Sequence, residues 1–325
     1  GRRRPRLRQG LNKRYALPLM AKRTTMTDTG ATSRLAEELR HQLGLYARLM
    51  RLDRPIGTWL LLWPTLWALW VASEGRPDAR VFLVFVIGVV VMRSAGCVIN
   101  DYADRKLDPH VERTRDRPLA TGEVAPAEAL VLFVALGLLA IALLLTLNEL
   151  TRWLALAGAV LTIIYPFTKR FFVAPQLVLG AAFGWGVPMA FAAQTGTVPR
   201  VAWLMWLTAV VWAVIYDTLY AMTDRAGDEL IGVKSTAILF GSADLFCIGL
   251  LQITMLGALV LIGQTAGLGV WFFGAVSIAG IMFLHQRLRI SDRDPNECFA
   301  AFLANRHVGA TLFAGIALDY IFRGP

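Results

Sequence analysis

Nine apolar stretches, each close to the ~20 residues a helix needs to cross the hydrocarbon of a bilayer, leave this chain little choice of fold. They lie at approximately 56-73, 81-100, 127-147, 152-168, 174-194, 202-221, 244-263, 267-286 and 307-322, the fourth and ninth being the shortest. Lipid offers a peptide group no hydrogen-bond partner, so each stretch must close its own backbone bonds as a helix. With 56% hydrophobic and 17% charged side chains over 325 residues, a soluble domain is excluded. The fold class expected is an all-α integral membrane protein of about nine transmembrane helices.

The formal charge of +10 resembles a nucleic-acid footprint until it is mapped. Residues 1 to 26 hold nine Lys or Arg and no acid, which leaves the remainder of the chain at +1. No nucleic-acid partner is therefore expected, and the lipid bilayer is. Residues 1-33 read as a basic, disordered N-terminal arm lying near anionic lipid. An Arg-rich, acid-poor start is also the composition of a mitochondrial transit peptide, and Met20 or Met26 would serve as a start site. Residues 34-55 read as an amphipathic entry helix along the membrane surface, and 56-325 as the transmembrane domain. Cys97, Cys247 and Cys298 lie far apart in or beside apolar segments, so neither a disulfide nor a zinc site is indicated.

Basic residues set the orientation. The loops at 104-118, 169-170, 225-234 and 287-306 contain thirteen Lys or Arg, whereas the alternate loops and the C-terminus contain Arg76, Arg80, Arg200 and Arg323. The positive-inside rule then puts the N-terminus in the cytoplasm and the C-terminus outside, a parity that nine spans satisfy.

Two acidic sets fall on the basic side. In NDYADRKLD, a continued helix would carry Asn100, Asp104 and Asp108 on one face at i, i+4 and i+8, with Asp101 joining Asp104 and Asp108 at i, i+3 and i+7. After the sixth span, Asp217, Asp224 and Asp228 recur at i, i+7 and i+11, with Tyr220 between them. Carboxylates gathered at the negative end of a helix repel one another unless cations arrive. Oxygen donors without His or Cys favour a hard ion such as Mg2+, which keeps part of its water and shares itself with substrate phosphates. Arg105, Lys106, Arg113, Arg115 and Arg117, Lys169 and Arg170, and Lys234 are cations available to phosphate oxygens, although residues of this kind also serve simply to set topology. Arg93, inside the second span, must either pair with an interior acid or meet a substrate. Arg54 suits an acidic substrate group, and equally suits snorkelling to the interface.

These stretches, namely NDYADRKLD, HVERTRDRPLATG, YPFTKR, YDTLYAMTDRAGD and GVKSTAILFG, together resemble the UbiA family of intramembrane prenyltransferases, from Leu49 to the C-terminus. RPIGTWLLLWPTLWALW and MRSAGCVINDYADRK look most like bacterial members that act on 4-hydroxybenzoate in ubiquinone biosynthesis. The resemblance implies helices around a central cavity, polyprenyl diphosphate and 4-hydroxybenzoate as substrates, Mg2+ as cofactor, and the bacterial inner membrane, or alternatively the mitochondrial inner membrane, as the location. It implies that Asn100, Asp104, Asp108, Asp224 and Asp228 hold metal with help from Asp101 and Asp217. Lys169 and Arg170, aided by Arg105, Lys106 and Lys234, would grip diphosphate, and Arg54 would orient the acceptor carboxylate. Asp217 would take the ring proton, and Tyr165 or Tyr220 would shield an allylic cation with its ring face. The chain departs from the family in one place, with Ala226-Gly227 where further acids usually precede the last Asp. A relative with another aromatic or lipid acceptor is the alternative within the family. A transporter would place its acids near the midplane instead of at one rim.

Overall fold

The computed structural model describes residues 28–106, 108–110, 114–231 and 234–322. The side chains at 28–32, 35, 166–167, 169–171, 226 and 228–231 are not among the described ones, so residues 1–27 of the basic arm, Arg113 and the side chains of Lys169, Arg170 and Asp228 lie outside the description. Every regular element among the described residues is helical. The chain divides into two compact units, Gly1–Gly44 and Leu45–Pro325. In the first, residues from Asp28 onward form the start of α1 (Asp28–Leu49).

The second unit contains α2 (Ile56–Ala72), α3 (Ala79–Asp104), a 3-10 turn at Asp108–His110, the short α4 (Pro118–Thr121), α5 (Pro126–Leu145), α6 (Glu149–Phe171), α7 (Pro175–Phe183), α8 (Gly186–Thr195) and α9 (Arg200–Ile231). They are followed by α10 (Thr236–Phe240), α11 (Asp244–Thr265), α12 (Val270–Arg289) and α13 (Pro295–Phe322). Six helical stretches among the described residues are long and apolar enough to cross a membrane, and Ile56–Ala72 is a shorter apolar helix. On α5, Val131, Val134, Leu138, Ile141 and Leu145 are all exposed, which only a lipid environment makes inexpensive.

Local chemistry explains the boundaries. Proline opens α4, α5 and α7, where its missing N–H is not needed. Asp78 caps α3 by accepting from Val81 N at 2.9 Å, and Asn148 caps α6 by accepting from Thr151 N at 2.9 Å. The break between α7 and α8 falls at Gly184-Trp185, just ahead of Pro188, whose ring cannot share a helix with the carbonyl four residues before it. There Gly180 packs so tightly on α9 that a Cβ would lie 2.9 Å from the Val210 carbonyl oxygen.

The last helix departs from expectation. A loop had been expected over 287-306, but α13 begins at Pro295, so Arg306 and His307 sit within the helix as exposed side chains. Asp294 drives this early start, its Oδ1 accepting from Asn296 N at 2.9 Å and Glu297 N at 3.1 Å.

The core is built where α2, α9 and α13 meet. The Trp67 and Trp212 rings lie 5.2 Å apart between centroids. Trp67 Nε1 donates to the Gly309 carbonyl at 3.1 Å, and Trp212 Nε1 to Asn305 Oδ1 at 3.0 Å. Each indole thereby buries its ring without leaving its N–H unpaired. This junction holds α9 in position, and α9 carries the second acidic set.

Candidate active site

The first acidic motif is not one continuous helical face. α3 ends at Asp104, and Asp108 belongs to the 3-10 turn that follows, so the expected i, i+4, i+8 register stops at its second member. Both oxygens of Asp101, which is only 2% exposed, accept from Arg51 Nη2 at 2.9 Å. Arg117 Nη1 then bridges Asp101 Oδ1, at 3.0 Å, and Asp108 Oδ2, at 3.0 Å. Thr114 Oγ1 donates to the Asp108 carbonyl at 3.0 Å and fixes the turn.

Asp101 and Asp108, both expected to serve a metal, are buried and paired with guanidiniums in this arrangement. The physical reason is desolvation, since a carboxylate withdrawn from water needs a cation at contact distance, and the chain supplies its own. Arg117, expected among the phosphate-binding cations, has this structural task. Arg105 Nη1 donates to the Tyr102 carbonyl at 2.6 Å, and its guanidinium lies 4.2 Å from the centroid of the Tyr102 ring. Lys106 is exposed at the turn.

Asn100 and Asp104 retain their one-turn spacing on α3, the first exposed and the second partly so. The second motif does lie on one helix, because α9 continues from Arg200 to Ile231 and carries Asp217, Tyr220 and Asp224 as partly buried side chains. Lys234 follows it, also partly buried. The ring of Tyr220 packs against Phe302 and Phe299 of α13, with centroids at 5.0 and 6.3 Å.

Tyr165 of α6 and Tyr216 of α9 each lie within electrostatic range of both Asp217 and Arg93, so α3, α6 and α9 bring charge to one interior region. Arg93 lies against Gly57 of α2, where a Cβ would stand 2.4 Å from its Nε. Arg54 is placed differently: its side chain is 79% exposed, with Nε 3.7 Å from the neighbouring Asp53.

No group of three or more His, Cys, Asp or Glu side chains able to hold a metal occurs among the described residues. The donors present nevertheless fit a hard cation: Asn100, Asp104 and Asp224 offer oxygen, and each is reachable from solvent. An ion held by so few protein ligands would take the rest of its coordination from water and phosphate, as Mg2+ prefers.

One group of residues escaped the sequence reading. Arg225, within DRAGD, donates to Asp244 Oδ2 at 2.6 Å and to the Ala237 carbonyl at 2.7 Å. Arg293 reaches the same carboxylate, at 2.9 Å from Nη2 to Oδ1. The only local signal was an Asp at the start of an apolar span. Thr218 and Thr236 hydroxyls, 2.6 Å apart, and Gln176 Oε1, accepting from Thr236 N at 3.0 Å, complete the anchoring of α10 on α9 and α7.

The fold is that of solved intramembrane prenyltransferase homologues. An apo UbiA homologue from Aeropyrum pernix K1 superposes with a TM-score of 0.69 at 22% identity, covering 80% of this chain and 97% of that one. A UbiA homologue from Archaeoglobus fulgidus bound to DMAPP and Mg2+ gives 0.67 at 18% identity, covering 85% and 98%. The UbiA prenyltransferase family model matches residues 61–309, and the chain belongs to that family. Among its relatives, the 4-hydroxybenzoate octaprenyltransferase of Nitrosococcus oceani is 56% identical over 283 residues, which is 87% of this chain and 99% of the relative. That of Methylococcus capsulatus is 57% identical over 280 residues, covering 86% and 96%.

Proposed function

We propose that this prenyltransferase moves a polyprenyl group from polyprenyl diphosphate to the carbon ortho to the hydroxyl of 4-hydroxybenzoate, giving 3-polyprenyl-4-hydroxybenzoate for ubiquinone biosynthesis. The observation that carries the reading is the 56% and 57% identity, over nearly their whole length, to relatives of that name. The chain would lie in the bacterial inner membrane with nine crossings, N-terminus cytoplasmic, so that both acidic motifs open to the cytoplasm.

Asn100, Asp104, Asp224 and Asp228 would hold Mg2+, and Lys169, Arg170, Lys234, Arg105 and Lys106 would take phosphate oxygens. Bound there, Mg2+ supplies neutralisation of charge on the departing diphosphate. The allylic C–O bond breaks with its electron pair going to diphosphate, the ring carbon forms the new C–C bond, and Asp217 accepts the ring proton. Tyr165 and Tyr220 would face the electron-poor allylic carbon. Arg54 would meet the acceptor carboxylate at the entrance and Arg93 within the bundle.

The experiment is a membrane assay with labelled 4-hydroxybenzoate and a series of prenyl diphosphates, with and without Mg2+. Mg2+-dependent product is expected. Absence of product with every donor defeats the proposal.

A further inference from the structure

A polar cavity of about 270 Å3 lies at the opposite end of α3 from the first acidic motif. Helix α3 runs for 26 residues at about 1.5 Å each, which puts roughly 30 Å between Arg80 at the cavity and Asn100. The cavity is therefore separate from the site proposed for metal and diphosphate. Asp78, Arg80, Thr146, Asn148 and Ala193 line it, drawn from three distant parts of the chain.

Hydrogen bonds fix its rim. Asp78 N donates to Gln194 Oε1 at 3.3 Å, Asn148 Nδ2 donates to the Ala192 carbonyl at 2.6 Å, and Arg80 Nη2 donates to the Thr146 carbonyl. The starts of α3 and α6 are thus tied to the end of α8. The charges are left unmatched, however. Asp78 Oδ1 caps α3 by accepting from Val81 N, yet among the described residues Asp78 meets no cation and Arg80 no carboxylate at ion-pair distance. Gln194 Nε2, at the rim, is buried with no hydrogen-bond partner among the described residues.

Lipid borders this cavity. Leu145 and Trp153, which flank its Thr146 and Asn148 in sequence, are 61% and 64% exposed, and an outward Trp near a helix end marks the membrane–water interface. An acid and a base two positions apart, held in one cavity but not on each other, complement a ligand carrying both signs. A phosphodiester offers acceptor oxygens to Arg80 and to Gln194 Nε2, and a primary ammonium offers N–H donors to Asp78. A glycerol headgroup carries the phosphodiester without the ammonium.

We propose that this cavity binds the headgroup of an ethanolamine phospholipid from the leaflet opposite the acidic motifs, with the phosphate on Arg80 and the ammonium on Asp78. The acyl chains then lie along the exposed apolar surfaces of α5 and α6.

The test is thermal unfolding of the full chain in detergent at neutral pH, without Mg2+ or diphosphate. The chain is titrated with dihexanoyl phospholipids bearing ethanolamine or glycerol headgroups, and with free phosphoethanolamine. The ethanolamine lipid is expected to raise the unfolding temperature with a midpoint about tenfold below that of the glycerol lipid, the scale of one charge-assisted hydrogen bond. Free phosphoethanolamine, without chains to bury, should be weaker by about tenfold or more. Asp78→Asn retains a good N-cap for α3, so its unfolding temperature without lipid should stay near wild type while the preference for ethanolamine disappears. Arg80→Gln should weaken both lipids about tenfold, and Arg200→Gln, at an exposed position outside the cavity, should weaken neither. Equal wild-type midpoints for the two lipids, a preference that survives Asp78→Asn, or equal losses in Arg200→Gln and Arg80→Gln overturn the proposal. Free phosphoethanolamine as strong as the lipid overturns the lipid as the source. Should Arg80→Gln fail to fold, Asp78→Asn decides alone.

Discussion

Arg51 Nη2 lies 2.9 Å from both carboxylate oxygens of Asp101, joining the end of α3 to the segment between α1 and α2 across 50 positions of sequence. Arg51 adopts φ 58°, so the backbone accepts an unfavourable conformation where this contact is made. Replacing Asp101 by Asn leaves two guanidiniums facing a neutral amide at a buried point. Removing one partner of a buried pair costs roughly 3–5 kcal/mol. Asp101→Asn should therefore lower the unfolding temperature of the detergent-solubilised chain clearly, whereas Asp104→Asn should leave it near wild type and abolish Mg2+-dependent product. Equal effects of the two on unfolding would reject this division of labour within one motif.

How much of this was readable beforehand depends on range. Helix α9 and the acids along it follow from local periodicity, and the α7–α8 break follows from Gly184 and Pro188, all within a few residues. The stop of α3 at Asp104 was not readable, because it depends on Asp108 turning back to Arg117 nine positions later. The pairs Asp101–Arg51 and Asp244–Arg293 span 50 and 49 positions, a separation for which no spacing rule exists. Counting Arg117, Arg225 and Arg293 as loop charges concealed that each is an internal bonding partner. For α13 a signal did exist: Asp294-Pro295-Asn296-Glu297 is a helix start, but it lies ahead of the apolar stretch at 307-322 by which the span was drawn.

Gly57 and Arg93 supply a second prediction. A Cβ at Gly57 would lie 2.4 Å from Arg93 Nε and 2.5 Å from its Nη2, so even Gly57→Ala must push the guanidinium aside. Arg93 shares its surroundings with Asp217 and Tyr165, where the acceptor ring is proposed to bind. We expect the KM for 4-hydroxybenzoate to rise about tenfold, the scale of one misplaced charge-assisted contact. The Mg2+ dependence should be unchanged. A shift in Mg2+ dependence with an unaltered acceptor KM would contradict this placement of Arg93.

Trp212 tests the α9–α13 junction. Its Nε1 donates to Asn305 Oδ1 at 3.0 Å, both residues being fully buried. Trp212→Phe keeps a ring against Trp67 but leaves the Asn305 oxygen without its donor, at a cost of about 1–3 kcal/mol. Reduced thermal stability is expected, together with partial recovery in Trp212→Phe/Asn305→Leu, where the orphaned oxygen is gone. Further loss in the double variant would show that packing at this junction matters more than the hydrogen bond.

The proposed orientation can be tested with the chain's own cysteines as a quiet background, because Cys97 and Cys298 are buried and Cys247 is partly so. Arg115, on the loop after α3, and Thr197, between α8 and α9, are both exposed. If both acidic motifs open to the cytoplasm, a membrane-impermeant thiol reagent added to intact cells should label Thr197→Cys and spare Arg115→Cys, with the pattern reversed in inside-out vesicles. The excess of Lys and Arg on the Arg115 side is what demands this outcome, since basic loops resist translocation. Labelling of both positions from one side would mean an even number of crossings between them instead of three. Because the two acid-bearing helices would then end on opposite faces, the single metal-diphosphate site would have to be abandoned along with the topology.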